Sequence, residues 1–183
     1  NPENLICKTL KFLRSEFPEL GVICDVALDP YTISGHDGVL DQNGNIDNDK
    51  SLEILSEMSI NLANAGCEIL APSDMMDGRI RTIREQLEKN KFPNVCLMSY
   101  SAKFCSNFYG PFRNALGNEK NLGLSSKKTY QLNFKNRIES LKEAELDINE
   151  GADILMIKPA GYYLDIIREI KNISYLPVAA FQV

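Results

Sequence analysis

Long hydrophobic runs are missing from this sequence of 183 residues, and no stretch is apolar enough to cross a membrane. No signal peptide precedes the first helical pattern, and no glycine-rich phosphate loop follows any predicted strand. The net charge of −5 argues against a nucleic-acid-binding surface. We therefore expect an intracellular protein, of the cytoplasm or a plastid, with neither a membrane nor a nucleic acid as partner.

The cysteines follow no metal-binding or redox pattern. The five cysteines are odd in number, and no two of them form a C-x-x-C pair. Free thiols in a reducing compartment fit this usage better than a zinc site or a disulfide framework. Repeats, low-complexity tracts and linkers are absent as well, so residues 1–183 are expected to form a single domain.

Helical and strand-like patterns alternate along the chain. A helical pattern is followed by five apolar, strand-like runs at residues 22–28, 67–71, 95–104, 154–157 and 177–183. Such alternation is typical of a parallel sheet with right-handed crossovers. We predict an α/β fold and favour a (β/α)8 barrel of the TIM type over a doubly wound sheet. Five units cannot close eight strands, so the chain is expected to supply about five central units of a barrel.

Apolar residues recur at helical spacing in two segments, and those of the second segment are expected to face inward. The stripe of the first helix is Leu5, Ile6, Leu10, Leu13 and Phe17. The stripe of the helix that starts near Asn136 is Ile138, Leu141, Ala144 and Ile148.

Residues 105–135 show no clean helical or strand period. The segment contains several glycines and a cluster of lysines. A loop of this length inside a compact domain is usually an active-site lid or is disordered. We expect residues 105–135 to form a lid.

Two of the predicted strands run into a lysine. Lys158 and then Pro159 follow the run at residues 154–157, and Lys103 lies near the end of the run that starts at Val95. Because functional residues of β/α folds follow the carboxyl ends of strands, we expect both amines in one pocket. An amine that is desolvated, or lies beside another cation, loses its proton more easily and becomes a nucleophile towards carbonyls. The alternative for each lysine alone is that it extends from a strand end to solvent.

Four motifs together resemble one enzyme family. They are residues 71–78 (Ala-Pro-Ser-Asp-Met-Met-Asp-Gly), 98–104 (Met-Ser-Tyr-Ser-Ala-Lys-Phe), 108–113 (Phe-Tyr-Gly-Pro-Phe-Arg) and 156–161 (Met-Ile-Lys-Pro-Ala-Gly). The chain is similar over nearly its whole length to the porphobilinogen synthase (5-aminolevulinate dehydratase) family. The resemblance implies an eight-stranded β/α barrel and a lyase of haem biosynthesis, which condenses two 5-aminolevulinate molecules into porphobilinogen with loss of two waters. It also implies that the full-length protein is a homo-octamer.

The resemblance also assigns roles to four basic residues. Lys158 matches the lysine that forms a Schiff base with the substrate that becomes the propionate side of the product, and Lys103 matches the lysine for the acetate side. Arg113 and Lys127 match the lid cations that hold a substrate carboxylate. The alternative for Arg113 and Lys127 is solvated surface charge.

The loop after the first strand carries aspartates where one branch of the family carries three zinc-binding cysteines. The positions of those cysteines are Ala27, Asp29 and Asp37 here, and Asp25 lies just before them. Thiolates suit zinc, whereas carboxylates suit magnesium or a monovalent cation. We therefore expect the magnesium-type branch and no zinc; the alternative for such aspartates is a turn or cap role. The resemblance implies a separate, allosteric magnesium at Glu143, for which an exposed helix charge is the alternative.

Two other functions stay open at this point. One is an aldolase-type Schiff-base lyase that uses Lys158 alone, with Lys103 tuning its pKa. The other is that the chain by itself is an inactive fragment of the barrel, because the family's ligands for the propionate-side carboxylate are expected beyond Val183. The number of lysines that become attached to substrate distinguishes the porphobilinogen synthase from the aldolase-type lyase. Turnover distinguishes both enzymes from the inactive fragment.

Overall fold

A parallel sheet forms the centre of the structure. The computed structural model describes residues 1–106 and 127–183. The strands are β1 (Ile23–Val26), β2 (Ile69–Pro72), β3 (Cys96–Cys105), β4 (Leu132–Asn133), β5 (Ile154–Lys158) and β6 (Val178–Ala180). The helices are α1 (Leu5–Glu16), α2 (Asn48–Asn64), α3 (Arg79–Lys89), α4 (Arg137–Glu150) and α5 (Leu164–Ile173), and Lys127–Thr129 forms a 3-10 turn.

The order of the strands in the sheet follows their order in the chain. β1, β2, β3, β5 and β6 lie side by side and every neighbouring pair is parallel. A doubly wound sheet reverses its strand order at a switch point, whereas a barrel does not. The five strands are therefore an arc of a β/α barrel, as predicted. The short β4, which pairs with the end of β3, was not predicted, because two residues are too few to show a period.

Short polar side chains fix the starts of three helices. Asn4, Asp47 and Asn136 precede α1, α2 and α4, and each accepts a hydrogen bond from a backbone N–H of the first turn. None of the helices in the described part of the chain combines the length and the hydropathy that crossing a membrane requires.

Both faces of the sheet are apolar. The outer face packs against the helices and includes Val26, Leu70, Leu97 and Leu155. The inner face carries a smaller cluster, which includes Ala71, Met98, Tyr100 and Met156. Burial on both faces is characteristic of parallel sheets in β/α folds. The inner cluster is the interior of the arc.

Strand β3 contains one extra residue relative to β5. Ser99 pairs with Leu155, but the next pair is Ala102 with Ile157. Three steps along β3 therefore match two steps along β5, which is a β-bulge. Because side chains alternate between the faces of a strand, one extra residue changes which side chains face inward beyond the bulge.

The apolar residues of the two helical segments differ in burial. In α1, Cys7 and Leu10 are buried, whereas Leu5 is 77% exposed and Phe17, which follows the helix, is 54% exposed. In α4, Ala144 is buried, whereas Ile138, which was expected to face inward, is 63% exposed. The expectation was wrong at Ile138, because helical period gives the direction of a stripe and not the width of the surface that covers it.

The segment expected to be a lid falls partly within the described residues. Residues 107–126, including Arg113, lie outside them. The described end of the segment contains the 3-10 turn at Lys127–Thr129 and strand β4, so it is more regular than its sequence suggests. That residues 105–135 act as a lid stays a prediction.

Candidate active site

Lys103 and Lys158 are partners in the register of β3 and β5, at the carboxyl ends of both strands. Neighbouring strands lie about 4.8 Å apart, so the two side chains start from adjacent points of the sheet. Each lysine is buried, with 7% of its surface exposed. The structure therefore brings the two predicted lysines together and excludes the alternative that they extend from the strand ends into solvent.

Lys158 lies in an aromatic pocket. Its Nζ atom is 3.9 Å from the ring centroid of Phe181 and 5.7 Å from that of Tyr100. Burial and the charge of Lys103 lower the pKa of Lys158 to about 8, although Asp25 and Asp37 oppose the shift. A substantial fraction of this amine is therefore neutral close to physiological pH.

Lys103 has a different environment, because a carboxylate and a carbonyl bind its amine. Nζ of Lys103 donates a hydrogen bond of 3.0 Å to Oδ2 of Asp37 and another to the carbonyl oxygen of Ser73, just beyond β2. This carboxylate and this carbonyl fix the position of the Lys103 amine.

Asp37 is the anion at the centre of the site. Its Oδ2 accepts from Lys103 and its Oδ1 accepts from Nζ of Lys127. Burial alone would raise the pKa of Asp37, but the charges of the two lysines outweigh it and hold the pKa below its ordinary value. The backbone N–H of Asp37 also donates to the hydroxyl oxygen of Tyr130, at 3.2 Å. Tyr130 was not predicted, because no local pattern marks a residue that contacts a distant loop.

Lys127 joins the described end of the predicted lid to the loop after β1. Its amine contacts Asp37 and lies 3.6 Å from Oδ2 of Asp29. The side chain is buried, so the alternative of a solvated surface charge is wrong for Lys127. The same alternative for Arg113 concerns a residue outside the described part of the chain.

Two of the three aspartates expected to form a cation loop, Asp29 and Asp37, lie against lysine ammonium groups. Both oxygens of Asp37 accept from ammonium groups, and Asp29 faces Lys127. Protein atoms around the carboxyl group partly exclude water and raise the pKa of Asp25, although the Ser73 hydroxyl and the charge of Lys103 lower it in part. The residue as a whole is exposed, because β1 lies at the edge of the described sheet. Among residues 1–106 and 127–183, no three His, Cys, Asp or Glu side chains are grouped to hold a metal ion. The arrangement of this loop does not fit a bound metal.

Glu143 lies on α4, half-buried among charged neighbours that differ from those of the lysine pocket. Burial and the neighbouring carboxylates of Asp147 and Asp77 raise the pKa of Glu143, and Arg79 opposes the shift. A cation would relieve this repulsion, and Mg²⁺ is commonly bound through one or two carboxylates together with several waters. The donor chemistry at Glu143 therefore fits magnesium better than the aspartate loop does.

The site combines two neighbouring amines. The pKa of Lys158 is lowered to about 8, and Lys103 forms an ion pair with Asp37. Such a pair suits covalent chemistry on carbonyl compounds, in which a neutral amine attacks and a neighbouring cation lowers its pKa.

These features define a β/α-barrel protein with a buried lysine pair at the carboxyl ends of adjacent strands. The profile of one family, delta-aminolevulinic acid dehydratase, matches residues 1–183. The chain belongs to the delta-aminolevulinic acid dehydratase family.

Relatives of this chain carry the same family name. The delta-aminolevulinic acid dehydratase of Bradyrhizobium diazoefficiens is 49% identical over 183 residues, which are 100% of this chain and 51% of the relative. The chloroplastic enzyme 1 of Arabidopsis thaliana is 48% identical, and the match covers 100% of this chain and 42% of the relative. The chain thus spans about half the length of the curated relatives it matches.

A solved structure from Toxoplasma gondii contains the same arc of a β/α barrel. It is a delta-aminolevulinic acid dehydratase (porphobilinogen synthase) in complex with the reaction product porphobilinogen. It superposes on this chain with a TM-score of 0.96 at 44% sequence identity, and the match covers 100% of this chain and 52% of the Toxoplasma gondii chain. A 2,3-dimethylmalate lyase superposes with a TM-score of 0.52 at 10% identity, which is a likeness of fold alone.

Proposed function

We propose that the full-length protein is a porphobilinogen synthase, which condenses two molecules of 5-aminolevulinate into porphobilinogen with loss of two waters. The observation that carries the proposal is the in-register pair of buried lysines, Lys103 and Lys158, with unequal environments. The family membership and the product bound to the relative from Toxoplasma gondii support it.

Lys158 acts first in this proposal. Its neutral amine adds to the ketone carbon of one substrate, and the resulting carbinolamine loses water to give a Schiff base. A pKa of about 8 raises the neutral fraction near pH 7 by roughly two orders of magnitude over an ordinary lysine. The Schiff base withdraws electrons from the adjacent carbon, which allows a carbon–carbon bond to form through an enamine.

Lys103 acts second, on the other substrate. It must release its proton before it can attack a ketone, and Asp37, at 3.0 Å, is a carboxylate placed to receive it. The transfer is unfavourable while Lys127 also keeps the pKa of Asp37 low. A substrate carboxylate that draws Lys127 away from Asp37 would make the transfer easier. Binding of the second substrate and activation of Lys103 would then be coupled.

Lys127 and Arg113 are the proposed cations for that carboxylate. Charge-assisted hydrogen bonds from two cations suit a carboxylate, and closure of a lid would exclude water from the imine steps. The contacts of Lys127 with Asp29 and Asp37 support its proposed role in binding the substrate carboxylate, because they hold its amine beside Lys103.

Borohydride reduction of the full-length protein with 5-aminolevulinate tests the lysine roles. We expect mass-spectrometric peptide mapping to find substrate on Lys158, and on Lys103 as well when both substrate sites are filled. Because neutral amine is the reactive form, labelling of Lys158 after a short exposure should increase with pH and level off above about 8. Reduction without substrate is the control. Labelling of neither lysine in folded protein would contradict the proposal.

An aldolase-type lyase that uses Lys158 alone is the second candidate. The ion pair between Lys103 and Asp37 favours it, because an amine engaged in an ion pair is a poor nucleophile. In the same experiment this function predicts label on Lys158 under every condition and none on Lys103. Formation of porphobilinogen by the full-length protein would exclude it.

Magnesium is the proposed cation, and Glu143 its ligand at a site separate from the lysines. We expect magnesium to raise the activity of the full-length protein and a zinc-selective chelator to leave it intact. Glu143→Ala should remove the stimulation, while both lysines still form Schiff bases. Glu145→Ala, which alters an exposed carboxylate on the same helix, is the matched control. Loss of activity with the chelator that zinc alone restores would contradict this assignment.

A homo-octamer is the proposed assembly of the full-length protein, in the cytoplasm or a plastid. Exposed apolar side chains on α1, including Leu5 and Phe12, support contacts of this helix with further protein surface. The chloroplastic relatives from plants support a plastid.

A further inference from the structure

Arg79, the first residue of α3, is a buried cation beneath the sheet. Its Nη2 atom donates to Oγ of Ser99 at 2.9 Å and to the carbonyl oxygen of Tyr100 at 3.3 Å. Arg79 is 2% exposed and Ser99 is fully buried. A buried guanidinium is expensive to desolvate, so its hydrogen bonds have to be well placed.

Two buried carboxylates hold this guanidinium in place. Nε of Arg79 is 3.7 Å from Oδ1 of Asp74, and Nη1 is 3.6 Å from Oδ1 of Asp147. Asp147 also accepts a hydrogen bond of 2.5 Å from the hydroxyl of Ser99. Ser99 is thus bound by both the cation and one of its counterions. The contacts tie together the loop after β2, the start of α3, strand β3 and helix α4.

The backbone that Arg79 binds is the bulge of β3. The register of β3 against β5 shifts between Ser99 and Ala102, and Tyr100 lies inside that interval. A bulge leaves its extra residue without a partner in the ladder, and a side-chain donor can satisfy the carbonyl that is left over. Arg79 donates a hydrogen bond of this kind to the carbonyl oxygen of Tyr100.

The bulge decides where Lys103 points. Met98 and Tyr100 face the interior of the arc, two positions apart, as a regular strand requires. Lys103 also reaches this interior, where it contacts Asp37, although it lies three positions after Tyr100. An odd spacing can share one face only if the strand contains an extra residue. Without the bulge, Ala102 would take the position beside Lys158.

We propose that Arg79 is a positioning residue, which holds the β3 bulge and so turns Lys103 towards Lys158. The inference rests on the function proposed above and adds a residue that touches neither amine. Asp74 and Asp147 orient Arg79, and Ser99 receives its hydrogen bond. Lys158 lies on β5, outside these contacts, and keeps its position when they are lost.

The test compares Arg79→Met with Ser99→Ala in the full-length protein. With 5-aminolevulinate and borohydride, label on Lys103 should fall by about tenfold or more in Arg79→Met, because small displacements of a nucleophile have large effects on rate. Label on Lys158 should stay within about twofold of wild type. Ser99→Ala, a smaller change that leaves the guanidinium in place, should lower label on Lys103 by a lesser factor. Arg79→Lys, which keeps the charge, should restore part of the loss.

A second measurement without substrate separates this inference from the proposed function. Reductive methylation with formaldehyde and cyanoborohydride, mapped by mass spectrometry, reports the access of each amine. Lys103 should react about fivefold faster or more in Arg79→Met, and faster by a lesser factor in Ser99→Ala, because it leaves its ion pair for solvent. Arg84→Met is the matched control, because Arg84 also lies on α3 and binds Asp153, away from the bulge.

The outcomes are distinct. Wild-type reactivity of Lys103 in both folded Arg79→Met and folded Ser99→Ala would overturn the positioning role. Equal loss of label at Lys103 and Lys158, or the same change in Arg84→Met, would overturn it as well, since either result means general loosening of the fold. Absence of substrate label in wild type would contradict the proposed function, and methylation of Lys103 would still decide whether Arg79 positions it.

Discussion

Lys158→Met should abolish porphobilinogen formation by the full-length protein, lowering kcat by roughly four to six orders of magnitude. Methionine keeps much of the length of the side chain and lacks the amine that attacks the ketone. The measurement is the rate of porphobilinogen formation at saturating 5-aminolevulinate. Lys89→Met, which replaces an exposed lysine of α3, is the control and should retain wild-type activity. More than about a tenth of wild-type activity in Lys158→Met would exclude this lysine as the nucleophile.

The same substitution should make the protein more stable. The pKa of Lys158 is lowered to about 8 in the folded state, so at neutral pH the fold has to bury a charge that the unfolded chain exposes to water. Methionine removes that cost, and the free energy of unfolding at pH 7 should rise by roughly 1–3 kcal/mol. The gain should shrink as pH increases from about 8 towards the ordinary lysine value of about 10.4, since the wild-type amine is then neutral in both states. Urea unfolding of wild type and of Lys158→Met, at neutral and at alkaline pH, measures this difference in the free energy of unfolding.

Asp37→Asn should have the largest effect on both stability and activity among the acidic residues of the site. It leaves Lys103 and Lys127 beside each other without their shared anion. Removing one partner of a buried ion pair costs about 3–5 kcal/mol, and we expect a loss near the lower end because asparagine keeps one oxygen acceptor. Displacement of Lys103 should also lower kcat/KM by roughly a hundredfold.

The pH dependence identifies the cause of that loss. The pKa of Asp37 lies below its ordinary value in the fold, so its stabilising effect is complete above the ordinary value and disappears as the pH falls through the folded value. Wild type and Asp37→Asn should therefore differ most at neutral pH and converge in acid. Asp29→Asn is the control, because Asp29 lies farther from Lys127 and is partly exposed. An equal loss of stability in Asp29→Asn would show that total charge, and not the shared anion, matters.

Local sequence patterns predicted the fold and the two lysines because both depend on short stretches. The apolar run that ends in Lys158 and Pro159 predicts a strand with a functional residue at its carboxyl end, and this prediction does not depend on the rest of the chain. The alternation of five such runs with helices was sufficient for a parallel arc. The width of the buried face of α4 depends on what packs against it, and the prediction that Ile138 faces inward was therefore wrong.

Long-range relations in the site could not be read from the sequence. The register of Lys103 with Lys158 depends on a bulge, and a bulge is a property of two strands and not of one. The aspartate at position 37 looked like a cation ligand because its type suits a metal. Its actual partners, Lys103 and Lys127, are 66 and 90 residues away in the chain. Tyr130 likewise contacts Asp37 across a distance that no local pattern spans.

The bulge in β3 means that the direction of the second amine depends on the spacing along the strand. With all residues kept, regular pairing between Tyr100 and Lys103 would turn the amine to the helix-facing side. Loss of one of the two residues between them would instead remove the bulge and leave the lysine facing inward, opposite Lys158. A relative that is one residue shorter at this point would therefore keep both lysines on one face and would need no arginine in the role proposed for Arg79.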